Sequence, residues 1–496
     1  MVFKLSAILV AVTLSLGSLS VAQAKAGDEA LLGSPKSGAS LRPLDQVWEL
    51  AIDKVEQEQA IAILRKAVKL NPNLSIAHEI LAQTSFDPAE RVSEQRKAFA
   101  TQTHATPAER TIVNWFQHAA DHKLILAITD MNEVLQQYPH ERWVVYLAVR
   151  WLTSQTQYER AAAIYENSAM SDFPGLLNNA AYTYAAMRKF DRAFALMEKY
   201  SAALPNNANP QDSYAEMLHM AGRFDEAIEH YKAALVLNPE FYSSQLGIAD
   251  TYSLAGDQLR ARKEYEAAFR KFSLPPLDRI LWKTREATTY VRDEDFKNAD
   301  RAFQEIATYA HARRMGQVEA ETYRQMALYQ IHPERSFVFL SKAENALREG
   351  NNMMKAEVQQ ELAQILRARV ELAVRTHRAG MADVTLAKLS RLSDKSDDKL
   401  IETAHHGAAG AVLFSRHAYK QAVLHLEEDV SNPFSLELLA LAYREVGDTN
   451  DANSTDETLA SMNDPTLEQA LIVPAFRKCL QNPSCTGKIK NASFHN

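Results

Sequence analysis

Residues 189–200 read KFDRAFALMEKY; residues 223–234 read RFDEAIEHYKAA, and residues 257–268 read DQLRARKEYEAA, each 34 positions after the last. An Ala recurs in every stretch, followed four residues on by a bulky side chain and then, seven on, by the third member of a trio. The trios are Ala193, Met197 and Tyr200; Ala227, Tyr231 and Ala234; Ala261, Tyr265 and Ala268. Positions i, i+4 and i+7 share one face of an α-helix, so each trio is an apolar stripe. Gly222 recurs as Gly256, where a helix stop favours a residue with positive φ. Pro205 recurs as Pro239, and Asn238-Pro239 ends a helix because proline cannot continue it. The intervening helices carry matching stripes: Tyr214, Ala215 and Leu218, then Ile248, Ala249 and Tyr252. Self-similarity at this period predicts stacked helix pairs, an all-α helix-turn-helix solenoid.

On these residues the chain resembles the tetratricopeptide repeat (TPR) family. Ala215, Ala227, Tyr231, Ala234 and Pro239 stand at the family's helix-packing positions, with Gln211 and Gln245 where a Trp is usual. The resemblance implies an all-α, right-handed α-superhelix (α-α solenoid) that binds proteins or peptides in its groove, usually without catalysis. That groove is lined by the first helix of each pair. Here it would present Asn178 and Tyr182, then Asp212, Glu216 and His219, then Leu246 and Asp250. Some members clamp a partner's terminal carboxylates with Lys and Asn at these positions. With Asp212, Glu216, Leu246 and Asp250 in those places the clamp is not carried over, and an acidic, partly aromatic groove suits a basic or neutral peptide.

Working outward, the register runs from residue 44 to 276 as about seven units. Ala60, Leu64 and Ala67 open it; Ser93, Lys97 and Ala100 fall in register; Ala127, Met131 and Val134, then Ala161, Tyr165 and Ser168, lead into the strong stretch. Leu274-Pro275-Pro276 is expected to break the array. Residues 277–400 read as irregular TPR-like repeats, with stripes at Ala299, Phe303 and Ile306, at Ser336, Leu340 and Ala343, and at Ala382, Leu386 and Leu389. Residues 401–470 read as a closing pair that includes Ala422, Leu426 and Asp429. Residues 471–496 form a basic tail that could fold back on the acidic groove.

The N-terminus differs in kind. Lys4, the apolar run Leu5–Val21 and Ala22-Gln23-Ala24 form a secretory signal peptide over residues 1–24, followed by a leader over 25–43. Export to a periplasm is expected, with secretion as the alternative; retention as an anchor is the other reading of this segment. No other apolar run is long enough to span a bilayer. Cys479 and Cys485 are the only cysteines, and in an exported chain they are most simply one disulfide. A formal charge of −7 argues against nucleic acid as the main partner.

Motifs for chemistry are missing. G-x-x-x-x-G-K-[ST], G-x-G-x-x-G and G-x-S-x-G do not occur, and helical repeats leave no stretch for a separate catalytic domain. His118 and His122, four apart on a helix with Asp121 beside them, are a candidate metal pair without a third ligand. His405-His406 adjoins Gly407-Ala408-Ala409-Gly410, a small-residue run suited to close helix crossing. The expectation is a non-enzymatic scaffold without cofactor or metal that binds partner proteins or peptides. The alternatives are a metal-binding or enzymatic role of the His-bearing helices, and self-assembly through exposed solenoid ends.

Overall fold

The computed structural model describes residues 46–47, 49–53, 57–121, 123–170, 172–350 and 353–480. The expected signal and leader segments, His122, Cys485 and residues 481–496 lie outside them. Every regular element among the described residues is helical. A short π-helical turn, Glu49–Asp53, precedes α1 (Gln57–Leu70). Pairs then follow: α2 (Ser75–Thr84) with α3 (Pro88–Thr101), α4 (Pro107–Ala120) with α5 (Leu124–Gln137), and α6 (Arg142–Ser154) with α7 (Tyr158–Asn167). Next come α8 (Pro174–Ala186) with α9 (Phe190–Ala203), α10 (Ala208–Met220) with α11 (Phe224–Leu237), and α12 (Tyr242–Leu254) with α13 (Gln258–Lys271). The pairing continues with α14 (Pro276–Arg292) and α15 (Phe296–Ala312), α16 (Gly316–Leu328) and α17 (Pro333–Glu349), and α18 (Lys355–Arg375) and α19 (Ala379–Ser393). It closes with α20 (Lys399–Ser415) and α21 (Tyr419–Leu426), then α22 (Pro433–Val446) and α23 (Thr449–Ala460), before a last helix, α24 (Leu467–Leu480).

The stripes are the core. Ala193, Met197 and Tyr200 are wholly buried, as are Ala227 and Ala261, and Tyr231 and Tyr265 are 1% exposed. Burying a large apolar side chain contributes about 1.5–3 kcal/mol, so each pair is held chiefly by its own stripe. The stripe at Ser93, Lys97 and Ala100 is a correction: Lys97 and Ala100 face solvent, and Val92 and Ala98 make the contact instead. The Pro275-Pro276 step also does not break the stacking. Pro276 starts α14, and Trp282 packs edge-on against Tyr242 and Phe272, with ring centres 5.9 and 6.4 Å away.

The turns inside the pairs share one hydrogen-bond pattern. The amides of Lys189, Arg223, Asp257 and Asp295 donate to the carbonyls of Tyr184, Leu218, Tyr252 and Tyr290, five residues back. That closure needs a left-handed residue just before the donor. Gly222 (φ 80°) and Gly256 (φ 97°) supply it as expected, but Arg188, Glu294, His377 and His417 take the same conformation without being glycine.

Candidate functional site

The predicted groove residues stand on the first helices of three successive pairs. Asn178 and Tyr182 stand on α8, Asp212, Glu216 and His219 on α10, Leu246 and Asp250 on α12. They are not an open acidic trough. Asp212, His219, Leu246 and Asp250 are each at most 6% exposed, and their polar atoms are satisfied within the array. Ser244 donates to Asp212 Oδ1 at 2.6 Å. The Tyr182 hydroxyl donates to Glu216, and the Tyr265 hydroxyl to Asp250. Arg285 on α14 places Nη1 3.6 Å from Asp250 Oδ2. Burial lifts the carboxyls of Asp212, Glu216 and Asp250, and pushes His219 down to about 3, so its ring is neutral. Leu246 belongs to an apolar cluster with Tyr265 and Trp282.

Two gaps lie further forward, the first among buried residues that the repeat pattern did not single out. One narrow cleft is walled by Ile76, Ile80, Ile112, Phe116, Trp143 and Leu147, with Glu79 and Arg150 among its polar members. It continues past Tyr146 into a second space lined by Asn178, Asn179, Tyr182, Asn209 and Asp212. Asn179 donates to the Tyr146 carbonyl at 3.2 Å and Asn209 to the Tyr200 hydroxyl at 2.6 Å, whereas the buried Asn178 Oδ1 has no protein partner. Both spaces are partly filled by the chain itself. Val47, Ala51 and Ile52, each at most 6% exposed, line the first, and Ala51 and Ile52 line the second. No repeat signal could have found this, because the covering segment lies at the head of the array.

Glu79 accepts from Gln83 Nε2 at 2.9 Å and from Gln95 Nε2 at 2.8 Å. Burial among the aliphatic wall residues outweighs those bonds and pushes its carboxyl up to about 8. A carboxyl whose folded pKa is raised binds more protons folded than unfolded, so its stabilising effect is complete below about 4.3 and is lost as pH climbs through 8. Glu79→Gln is therefore expected to match wild type below about pH 4.3 and to exceed it increasingly as pH rises, by on the order of 5 kcal/mol at pH 8.5. Gln95 Oε1, buried and unbonded, can accept from the new amide. Thermal unfolding of both proteins across that range is the check; parallel curves would refute the assignment.

Among the histidines, His118 Nδ1 lies 2.6 Å from Asp130 on α5 and ties two helices of one pair. His405 and His406 sit between α20 and α21 beside His425, with the His406 and His425 rings 4.9 Å apart. Burial, then the neighbouring His425 charge, lowers His405 and His406. No group of three His, Cys, Asp or Glu among the described residues could hold a metal ion. The small-residue run does serve close crossing: a Cβ on Gly410 would lie 2.6 Å from Leu426. Cys479 is buried on α24, and the other half of the expected bridge lies outside the described residues. No described helix is long and apolar enough to cross a membrane.

No family model matches the chain. An 82-residue stretch is 32% identical to anaphase-promoting complex subunit CDC16 of Saccharomyces cerevisiae, covering 16% of this chain and 10% of that one. This chain thus spans about a tenth of the curated relative that it matches. Among solved structures it is similar to yeast Tom70, at 14% identity and a TM-score of 0.40 over 92% of this chain and all of that one. It is also similar to a tetratricopeptide repeat protein from Parabacteroides merdae, at 12% identity and a TM-score of 0.36, covering 57% of this chain and 98% of that one.

Proposed function

We propose that this chain, an all-α solenoid of tetratricopeptide-type repeats, is a non-enzymatic scaffold that takes partner polypeptide on its concave face. One observation carries the reading: the front of that face already holds a stretch of polypeptide, the chain's own Val47–Ile52 turn, and leaves unfilled space beside it. The surroundings suit a peptide with an aliphatic face. Ile76, Ile80 and Trp143 offer apolar contact, and Arg150 and the unpartnered Asn178 carbonyl offer polar groups for its backbone or edge. Of the predicted acids, Asp212 lines the second space with its Oδ1 held by Ser244, and Glu216 and Asp250 are engaged by the hydroxyls of Tyr182 and Tyr265. The proposal includes export, to a periplasm or outside the cell, and the signal-like pattern of residues 1–24 is what supports it.

The test is crosslinking capture in the native compartment with tagged protein and an Arg150→Glu, Asn178→Arg variant. Both side chains are only half-buried, so the variant should fold, as its melting curve will verify. The expected result is a partner recovered by wild type and lost by the variant. Equal recovery by both would remove the concave face from the account.

A further inference from the structure

The concave face is occupied a second time, further back, by the C-terminal end of the array. After α23 the chain turns inward through residues 461–466 and enters α24. Thr466 Oγ1 accepts from the Gln469 amide, and the Gln469 side chain both accepts from the Asp464 amide and donates to its carboxylate, each at 2.8 Å. This self-contained helix start is a unit of helix formation in its own right. It reaches across the solenoid to distant repeats. Arg188, in the left-handed turn after α8, donates to the Ser461 carbonyl at 3.3 Å. Asn463 Nδ2 donates to the Met220 carbonyl at 3.3 Å, at the end of α10. Arg285 donates to the Pro465 carbonyl at 2.9 Å, and Arg324 on α16 pairs with Glu468 at 3.2 Å. Leu467 is 2% exposed within the apolar cluster of α14–α18, and Ile472, Val473 and Phe476 join that of α20–α23.

Two of these contacts are redundant on the receiving side. Arg324 also holds Glu361 on α18, with Nε 2.7 Å from Oε1. Arg285 also faces Asp250. Withdrawing the segment would therefore leave neither guanidinium buried without an acid, the circumstance that makes breaking a buried ion pair expensive. What departure exposes is the apolar seats of Leu467, Ile472, Val473 and Phe476 and the unused donors of two arginines. We infer that residues 461–480 are a displaceable internal ligand of the groove, and that the partner segment replacing them is an acidic, aliphatic helix start: a leucine-like side chain seated where Leu467 lies, followed by a carboxylate for Arg324, with a backbone carbonyl for Arg285. The inference rests on the concave face binding polypeptide, and it reverses the partner charge expected from the groove acids.

A synthetic peptide spanning residues 461–476, carrying a fluorophore, tests it without a natural partner. Full-length protein with Leu467→Asp and Glu468→Arg has a weakened strap, and should bind the peptide about tenfold more tightly than wild type, since a groove that is mostly self-occupied binds in proportion to its open fraction. A peptide bearing the same two substitutions should bind neither protein. Hydrogen exchange on unmodified wild type is the second measurement: excess peptide should speed exchange of α24 amides while those of α14 and α22 stay protected. Equal affinities for both proteins, or α24 amides indifferent to peptide, would overturn the inference. Loss of peptide exchange with partner capture intact removes the strap alone; the opposite pair of results removes the scaffold reading and keeps the strap.

Discussion

Gly247→Ala is expected to destabilise the repeat formed by α12 and α13 by about 2–3 kcal/mol, although alanine is the better helix former. A Cβ at this site would lie 2.2 Å from the Tyr231 Cζ and 2.3 Å from its Cε1, so the ring of α11 lies directly on the glycine of α12. Intrinsic propensity favours Ala over Gly by about 1 kcal/mol inside a helix, which is the smaller of the two effects. The ring has nowhere to go. Tyr231 is 1% exposed, with Asp212, Glu216 and Asp250 close enough to raise its hydroxyl's pKa further, after burial itself. In a Tyr231→Leu background the collision disappears, and Gly247→Ala should become neutral or stabilising by up to about 1 kcal/mol. The change of sign across the double-mutant cycle is the diagnostic result, read by denaturant unfolding or by exchange of α11 and α12 amides. An equal loss in both backgrounds would mean that the close approach is not what requires glycine.

That pairing shows which part of the molecule was legible in the sequence. The period of 34 picks out residues that meet neighbouring repeats, so Tyr231, Tyr265 and Met197 could be placed in the core before any coordinates. The glycine stops at 222 and 256 were legible because glycine is the default for a left-handed residue. The same conformation at Arg188, Glu294, His377 and His417 was not, because nothing in those side chains signals it. At α3 the register slipped, since Val92 and Ala98 are the buried members and Ala100 only resembles one. Periodicity gave the helices that carry the predicted groove residues, but not that Asp212, His219, Leu246 and Asp250 are buried. Packed against the array are two segments outside the strong repeats, one before α1 and one after α23. Their contacts join residues as far apart as 188 and 461, and a periodic pattern carries no information about such pairs.

Asp429→Leu is expected to cost about 1–3 kcal/mol, because it takes the carboxylate away from Nη2 of a buried guanidinium and from the Ser435 hydroxyl, while Glu371 still holds Nε. Asp429 occupies the third position of the stripe Ala422, Leu426, Asp429, where other repeats place a small or apolar residue, and it is 1% exposed. It is tolerated because Arg367 of α18 reaches across, with Nη2 2.5 Å from Asp429 Oδ2 and Nε 2.8 Å from Glu371 Oε1. Ser435 of α22 completes the set, accepting from Arg367 at 2.8 Å and donating to Asp429 at 2.6 Å. Burial works against the Arg367 charge, and the two acids outweigh it, so its pKa is raised. Gly407 leaves room for this arrangement: a Cβ there would stand 2.2 Å from Asp429 Oδ2 and 2.7 Å from Arg367 Nη2. The small-residue run of α20 thus admits an ion pair at one glycine and Leu426 at the other. The pair itself need not be a net source of stability, since replacing both partners of a buried ion pair with apolar residues is often neutral or better. Arg367→Met combined with Asp429→Leu should therefore recover most of what Asp429→Leu loses, with Glu371 free to turn toward solvent. Urea unfolding of the two single variants and the double variant decides the matter. If the double variant is as unstable as the sum of the singles, the two charges are held independently by Glu371 and Ser435, and the three-helix junction of α18, α20 and α22 does not depend on their pairing.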